Sequence, residues 1–180
     1  MFYKGVEAQT MTVWRQADRY HVPRIIYLNK MDKPGAKFTD CLNQIESKLK
    51  SIPLPLHYPI GEGRQFKGIV DLVNLTIKKW EVDKTSMGAM FSIRFVALNL
   101  LSLFTVFNFI VKYIFRSLTD GDLNNEIKST ALEKRLDLIG KVADLDDELA
   151  GLILERESFE NITPSELEQA IRRVTLEQVS

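Results

Sequence analysis

The sequence predicts an α/β fold: a parallel sheet with flanking helices, carrying a smaller subdomain of antiparallel strands and helices. Three observations lead there. Pro23-Arg-Ile-Ile-Tyr-Leu28 is apolar and β-branched, as a buried parallel strand would be. Apolar residues recur at helical spacing on either side of it, in Glu7–Tyr20 and Lys37–Ser51. Farther on, His57–Trp80 breaks into short β-like runs, and Glu126–Glu155 turns to Leu, Ile, Lys and Glu at helical spacing.

Taken in order, Glu7–Tyr20 places Met11, Trp14 and Ala17 on one side of a helix that feeds the strand through a short turn. The strand ends at Asn29-Lys-Met-Asp32. Pro34-Gly35 then punctuates a turn, and Phe38, Leu42, Ile45 and Leu49 make the next helical stripe, with Cys41 as a core residue beside it. Gly68–Val73 and Leu75–Trp80 read as small antiparallel strands; Tyr27 and Trp80 read as core or edge anchors. Phe95–Val111 carries no charge and sits between Arg94 and Lys112, at the lower limit of the roughly 17–25 residues that span a bilayer. Three readings stay open for it: foreign sequence from an unusual transcript, a buried helix, or a membrane span. Beyond it, Leu132, Leu136, Ile139 and Ala143 mark a buried helical face. The acidic group Asp144, Asp146, Asp147 and Glu148 lacks the glycine turn and ligand spacing of a calcium loop and reads as a solvated helix face. Thr163-Pro-Ser-Glu166 has a cap residue, proline at the first helical position and glutamate three beyond the cap, so a helix starts there with Leu167, Ala170, Ile171 and Val174 as its stripe.

Composition narrows the function classes. A chain of 180 residues with 45% apolar side chains suits one globular domain. Its 24 basic and 24 acidic side chains cancel, so no broad positive field marks nucleic acid as a partner. Cys41 is the single cysteine, which excludes an internal disulfide framework and fits a reducing compartment. No metal-spaced Cys/His set, signal peptide or arginine-rich transit segment is visible, so the sequons at Asn74 and Asn161 carry no weight.

The chemistry lies in Asn29-Lys30-Met31-Asp32, an N-K-x-D sequence at the end of an apolar strand, where open α/β sheets bind ligands. A carboxylate at Asp32 can accept from the ring N1–H and the exocyclic amino group of guanine, a donor pair adenine lacks. Stranding such buried polar groups costs about 1–3 kcal/mol each, enough to build strong rejection of the wrong base. Lys30 would lay its methylene stem along the base, while Asn29 would tie the loop to its neighbours and approach the purine N7. The phosphate half of a nucleotide site is missing, since the chain has no G-x-x-x-x-G-K-[ST] match and neither Gly35 nor Gly61-Glu-Gly63 supplies one. Asp32-Lys-Pro-Gly35 fits the loose D-x-x-G pattern of a magnesium-side switch but shares its aspartate with the base. Ser129-Thr-Ala-Leu132 faintly echoes a second guanine-contacting loop, within a helical stretch.

Gly5-Val-Glu-Ala-Gln-Thr-Met-Thr-Val-Trp-Arg-Gln-Ala17, Pro23 and Leu28-Asn-Lys-Met-Asp-Lys33 resemble the G domain of the elongation factor G family of translational GTPases. Pro59-Ile-Gly61, Phe66–Leu72, Val142–Glu148 and Ala170–Leu176 resemble its G domain again, including the insert, and Val13–Ala17 with Lys30–Lys33 suits the mitochondrial ribosome-releasing branch. The resemblance implies an incomplete P-loop-NTPase-type G domain. Residues 1–56 would be the C-terminal part of its core with the guanine loop, 57–84 the start of the insert, 85–120 an apolar segment of unclear origin, and 121–180 the helical part of the insert. It further implies binding and hydrolysis of GTP with Mg2+, whose ligands, with the phosphate loop and catalytic histidine, would lie before Met1. The second guanine loop would follow Ser180. The implied partners are the mitochondrial ribosome and ribosome recycling factor, and the implied place is the mitochondrial matrix. The isolated chain is then expected to be a poor GTPase, because phosphoryl transfer depends on positioned charge and a positioned water. A nonenzymatic, membrane-associated or partner-binding product working through Phe95–Val111 is the alternative.

Overall fold

The computed structural model describes residues 5–79 and 125–177. Phe95–Val111, Trp80 and the whole 85–120 segment lie outside the described residues. Among those described, no helix is long and apolar enough to cross a membrane.

Helix α1 (Ala8–Arg19) leans Met11 and Trp14 on a small core of Val6, Ile45 and Leu49, joined by Ile26 and Leu42. The expected helix over Lys37–Ser51 is α2 (Phe38–Leu49), which buries Cys41, Ile45 and Leu49 and ends on Lys50 in the left-handed conformation at φ 55°. Burial pushes the Cys41 thiol above its ordinary pKa, helped by the nearby Asp40 carboxylate. Phe38 leaves that stripe and meets Tyr58 edge-on, ring centroids 5.6 Å apart.

Strands β1 (His57–Ile60), β2 (Gly68–Asp71) and β3 (Thr76–Lys79) form an antiparallel sheet in the order β1-β2-β3. Val70 stands opposite Tyr58 on one side and Ile77 on the other. Helices α3 (Asn125–Ala143), α4 (Asp147–Arg156) and α5 (Pro164–Glu177) accompany it. The larger core joins Val70, Leu72 and Ile77 to Leu138, Ile139 and Val142 of α3, Leu149 and Ile153 of α4, and Leu167, Ala170 and Val174 of α5. Each Val, Leu or Ile side chain so withdrawn from water contributes about 1.5–3 kcal/mol, so this cluster dominates the stability of the described residues.

The structure corrects four expectations. Pro23–Leu28 does not form the expected buried parallel strand among the described residues: it pairs with no strand there, and the only sheet there is antiparallel. Its side chains alternate as a strand's do, Ile26 against the small core while Ile25 and Tyr27 stand 77% and 70% exposed, so Tyr27 anchors no core. A ladder needs a neighbouring strand, and none of the described residues supplies one. The helical stretch Glu126–Glu155 divides in two because the Asp146 carboxylate accepts the Leu149 N–H, at 2.7 Å, and caps α4. Asp146 is therefore buried and not part of a solvated face, and Arg173 of α5 holds it through two hydrogen bonds of 2.7 and 2.8 Å. Lastly, α3 buries Ala131, Arg135, Leu138, Ile139 and Val142 while Leu132 and Leu136 are exposed. The face is rotated because Arg135 is satisfied inside, donating to the carbonyls of Leu72 and Val73 beside the sheet and of Ile162 before α5.

Candidate functional site

The N-K-x-D segment is built from two consecutive turns. Lys33 N–H donates to the Lys30 carbonyl and Ala36 N–H to the Lys33 carbonyl, each at 3.1 Å. The first turn draws Lys30 into the left-handed region at φ 61°, and the second is eased by Gly35 at φ 83°. Asn29 Oδ1 accepts the Lys30 N–H at 2.8 Å, so the tie this side chain makes is to its own loop. Met31 is only 8% exposed and roots the loop, which forces its neighbour Asp32 outward. The Asp32 side chain is 62% exposed, and Lys33 Nζ approaches it no closer than 3.8 Å. Both carboxylate oxygens therefore stand where an incoming pair of N–H donors could meet them. That donor set fits the guanine edge.

The loop gains a further anchor from the turn between β1 and β2. Gly63 N–H donates to the Met31 carbonyl at 3.1 Å, and Glu62 Oε1 accepts the Phe38 N–H at 3.4 Å. In the sequence, Gly61-Glu-Gly63 reads only as a failed phosphate loop. The one available signal is a pair of glycines separated by a single residue, which marks a special backbone but does not say what it touches.

Elsewhere, Ser129 Oγ and Thr130 Oγ1 both donate to the Glu126 carbonyl at 2.9 Å, so Ser129–Leu132 is a stretch of helix and not a loop. A groove of about 380 Å³ lies between α1 and the Arg24–Tyr27 segment, lined by Val13, Trp14, Ile25 and Tyr27 among others and by none of Asn29, Lys30 or Asp32. Arg24 stacks 4.1 Å above the Trp14 ring and pairs with Asp18. Burial holds the His57 imidazole below its ordinary pKa, which keeps it neutral at pH 7. Among the described residues no group of three or more His, Cys, Asp or Glu side chains could hold a metal ion.

The elongation factor Tu GTP binding domain family matches residues 2–159. A Rattus norvegicus protein named mitochondrial ribosome-releasing factor 2 is 42% identical over 178 residues, covering 98% of this chain and 20% of its own length. Its namesakes in Danio rerio and Anopheles gambiae are 39% and 34% identical, over 96% and 97% of this chain and 20% of theirs. The chain thus spans about a fifth of the length of these curated relatives. A solved crystal structure of a Thermus thermophilus protein superposes with a TM-score of 0.65 at 20% identity, covering 98% of this chain and 21% of that one.

Proposed function

Because this chain belongs to the elongation factor Tu GTP-binding domain family, we propose that Asn29, Lys30 and Asp32 recognise the guanine of GTP. The observation that carries this reading is the Asp32 carboxylate, thrust outward at the end of an apolar segment by the buried Met31 beside it. Guanine N1–H and its amino group donate to the two Asp32 oxygens, the Lys30 stem covers one face of the base, and Asn29 stiffens the turn that presents them. In a whole G domain of this family, Pro23–Leu28 would pair within the parallel sheet. Residues 1–56 serve as the core portion, and 57–84 with 121–180 as the insert; the separate small and large clusters of buried side chains support that division.

For the whole protein we propose a role as a GTPase in mitochondrial ribosome disassembly after termination, with ribosome recycling factor as a partner and the mitochondrial matrix as its place; the relatives' name, mitochondrial ribosome-releasing factor 2, supports the ribosomal and mitochondrial parts of that role. Bound Mg2+ would supply charge neutralisation at the phosphates. With no phosphate-loop match in the sequence, this chain alone contributes base selection and little hydrolysis.

Titrating the 15N-labelled chain with GTP, ATP and XTP, and following the amides of residues 29–36, tests the assignment. We expect GTP to bind at least tenfold more tightly than ATP. In Asp32→Asn the side-chain amide offers a donor to the C2 carbonyl of xanthine, so preference should move to XTP. An unchanged preference in that variant would remove Asp32 from the base.

A further inference from the structure

The turn between β1 and β2 is itself rigid. Gln65 N–H donates to the Glu62 carbonyl at 3.0 Å, Phe66 N–H to the Gly63 carbonyl at 3.1 Å, and Lys67 N–H to the Ile60 carbonyl at 2.9 Å. Gly61 sits at φ 78°, where a Cβ would lie 2.1 Å from the Gln65 carbonyl oxygen, so only glycine closes it. From this turn two bonds reach out. Gly63 N–H holds the Met31 carbonyl, immediately before Asp32, and the Glu62 carboxylate holds the Phe38 N–H at the start of α2. Between those two points the chain has neither helix nor strand of its own, so both ends of the segment that carries Asp32 are fastened to one turn of the antiparallel sheet. The edge-on contact of Phe38 with Tyr58 adds a third fastening, from α2 to β1. At Gly63 the approach is close: φ is 55°, and a Cβ would lie 3.3 Å from the Lys33 carbonyl oxygen and 3.7 Å from Pro34 Cα.

We propose that Gly63 and Glu62 are positioning residues for guanine selection, setting the place of the Asp32 carboxylate although neither touches the base. This rests on the guanine reading of Asp32. A two-point acceptor must be held within about 0.5 Å and 10–20° of its donors, and a loop without regular structure gets that precision only from what it is bonded to. A side chain at Gly63 pushes against the Lys33 carbonyl and displaces Met31 and Asp32 together. Binding of GTP then suffers, while binding of ATP, which never used the carboxylate, does not.

The same amide-resolved titration tests the proposal with Gly63→Ala, Glu62→Ala and Glu62→Gln. Gly63→Ala should cut the GTP-over-ATP preference roughly tenfold, the scale of a sub-ångström misplacement of a binding group. Glu62→Ala should cut it severalfold, and Glu62→Gln, whose amide oxygen still accepts the Phe38 N–H, should restore it. Combined with Asp32→Asn, Gly63→Ala should lower the remaining preference no further, because both act through one carboxylate. A wild-type chain with no GTP preference overturns the guanine reading and this inference with it. A wild-type preference that Gly63→Ala leaves intact overturns the inference alone. Should Gly63→Ala fail to fold, the Glu62 pair decides, and equal preference in the alanine and glutamine variants overturns it.

Discussion

Arg135 shows how one residue can set the face of a helix. It is 7% exposed, and its guanidinium bonds the carbonyls of Leu72 and Ile162 at 2.7 and 2.9 Å and that of Val73 as well. Carbonyls at the end of the sheet and before α5 are thus held by two nitrogens of one guanidinium. Replacing Arg135 with Met keeps the apolar stem and strands all three acceptors, so stability extrapolated from urea unfolding should fall by roughly 2–4 kcal/mol. Arg135→Lys, which keeps the charge but not the planar fork, should fall between. A leucine-counting pattern points to Leu132 and Leu136 because it assumes that charge lies outside, and here a charge with three partners does not. The proposed role of Asp32 draws instead on local features, since its chemistry needs only exposure and a fixed backbone turn. The grip of Gly63 on Met31 was not legible in the sequence, since a main-chain bond between distant residues leaves no mark on side-chain identity.

Among the elements, α5 begins as its sequence announces. Thr163 N–H and Oγ1 both donate to Glu166 Oε2, at 2.9 and 2.8 Å, and Glu166 N–H returns to Thr163 Oγ1 at 3.3 Å. Arg156 at the end of α4 clasps the same carboxylate with bonds of 3.0 and 2.7 Å. Together, the Arg156 guanidinium first and then the Thr163 donors, they hold Glu166 down at a pKa of about 2, against an ordinary 4.5. A depressed carboxylate pKa stabilises the fold above the unfolded value and ceases to do so as pH falls through the folded one. The contribution is therefore complete above about pH 4.5 and gone near pH 2. Glu166→Gln should be less stable than wild type at pH 7, and the two thermal midpoints should converge as pH falls from 4.5 to 2. A gap that persists at pH 2 would assign the loss to packing. Both partners are solvent-facing, so added salt should narrow the gap at neutral pH. The short local patterns of α1, α2 and this cap survive into the structure because each is settled within one or two turns; the break at Asp146 is missed because a carboxylate followed by acidic residues reads as a solvated face.

At the scale of the molecule, a large cluster under the antiparallel sheet stands beside a small one under α1 and α2. The small one leaves Ile25, Tyr27, Val13 and Tyr20 at 63% exposure or more. An unpaired edge flanked by such side chains templates association. We expect concentration-dependent elution from a size-exclusion column, and Ile25→Lys with Tyr27→Lys should return the chain to a monomer; a compact monomer at every concentration would contradict this. The sheet that Pro23–Leu28 is expected to join cannot be seen from its own residues, because strand pairing is a property of two segments and the sequence of one states only willingness. Beneath α2, meanwhile, Cys41 is buried with its proton held on by desolvation, and it is the chain's single sulfhydryl. As long as that helix stays seated, electrophiles and peroxides find no thiolate to attack. Oxidation of this thiol is thereby gated by the packing of α2.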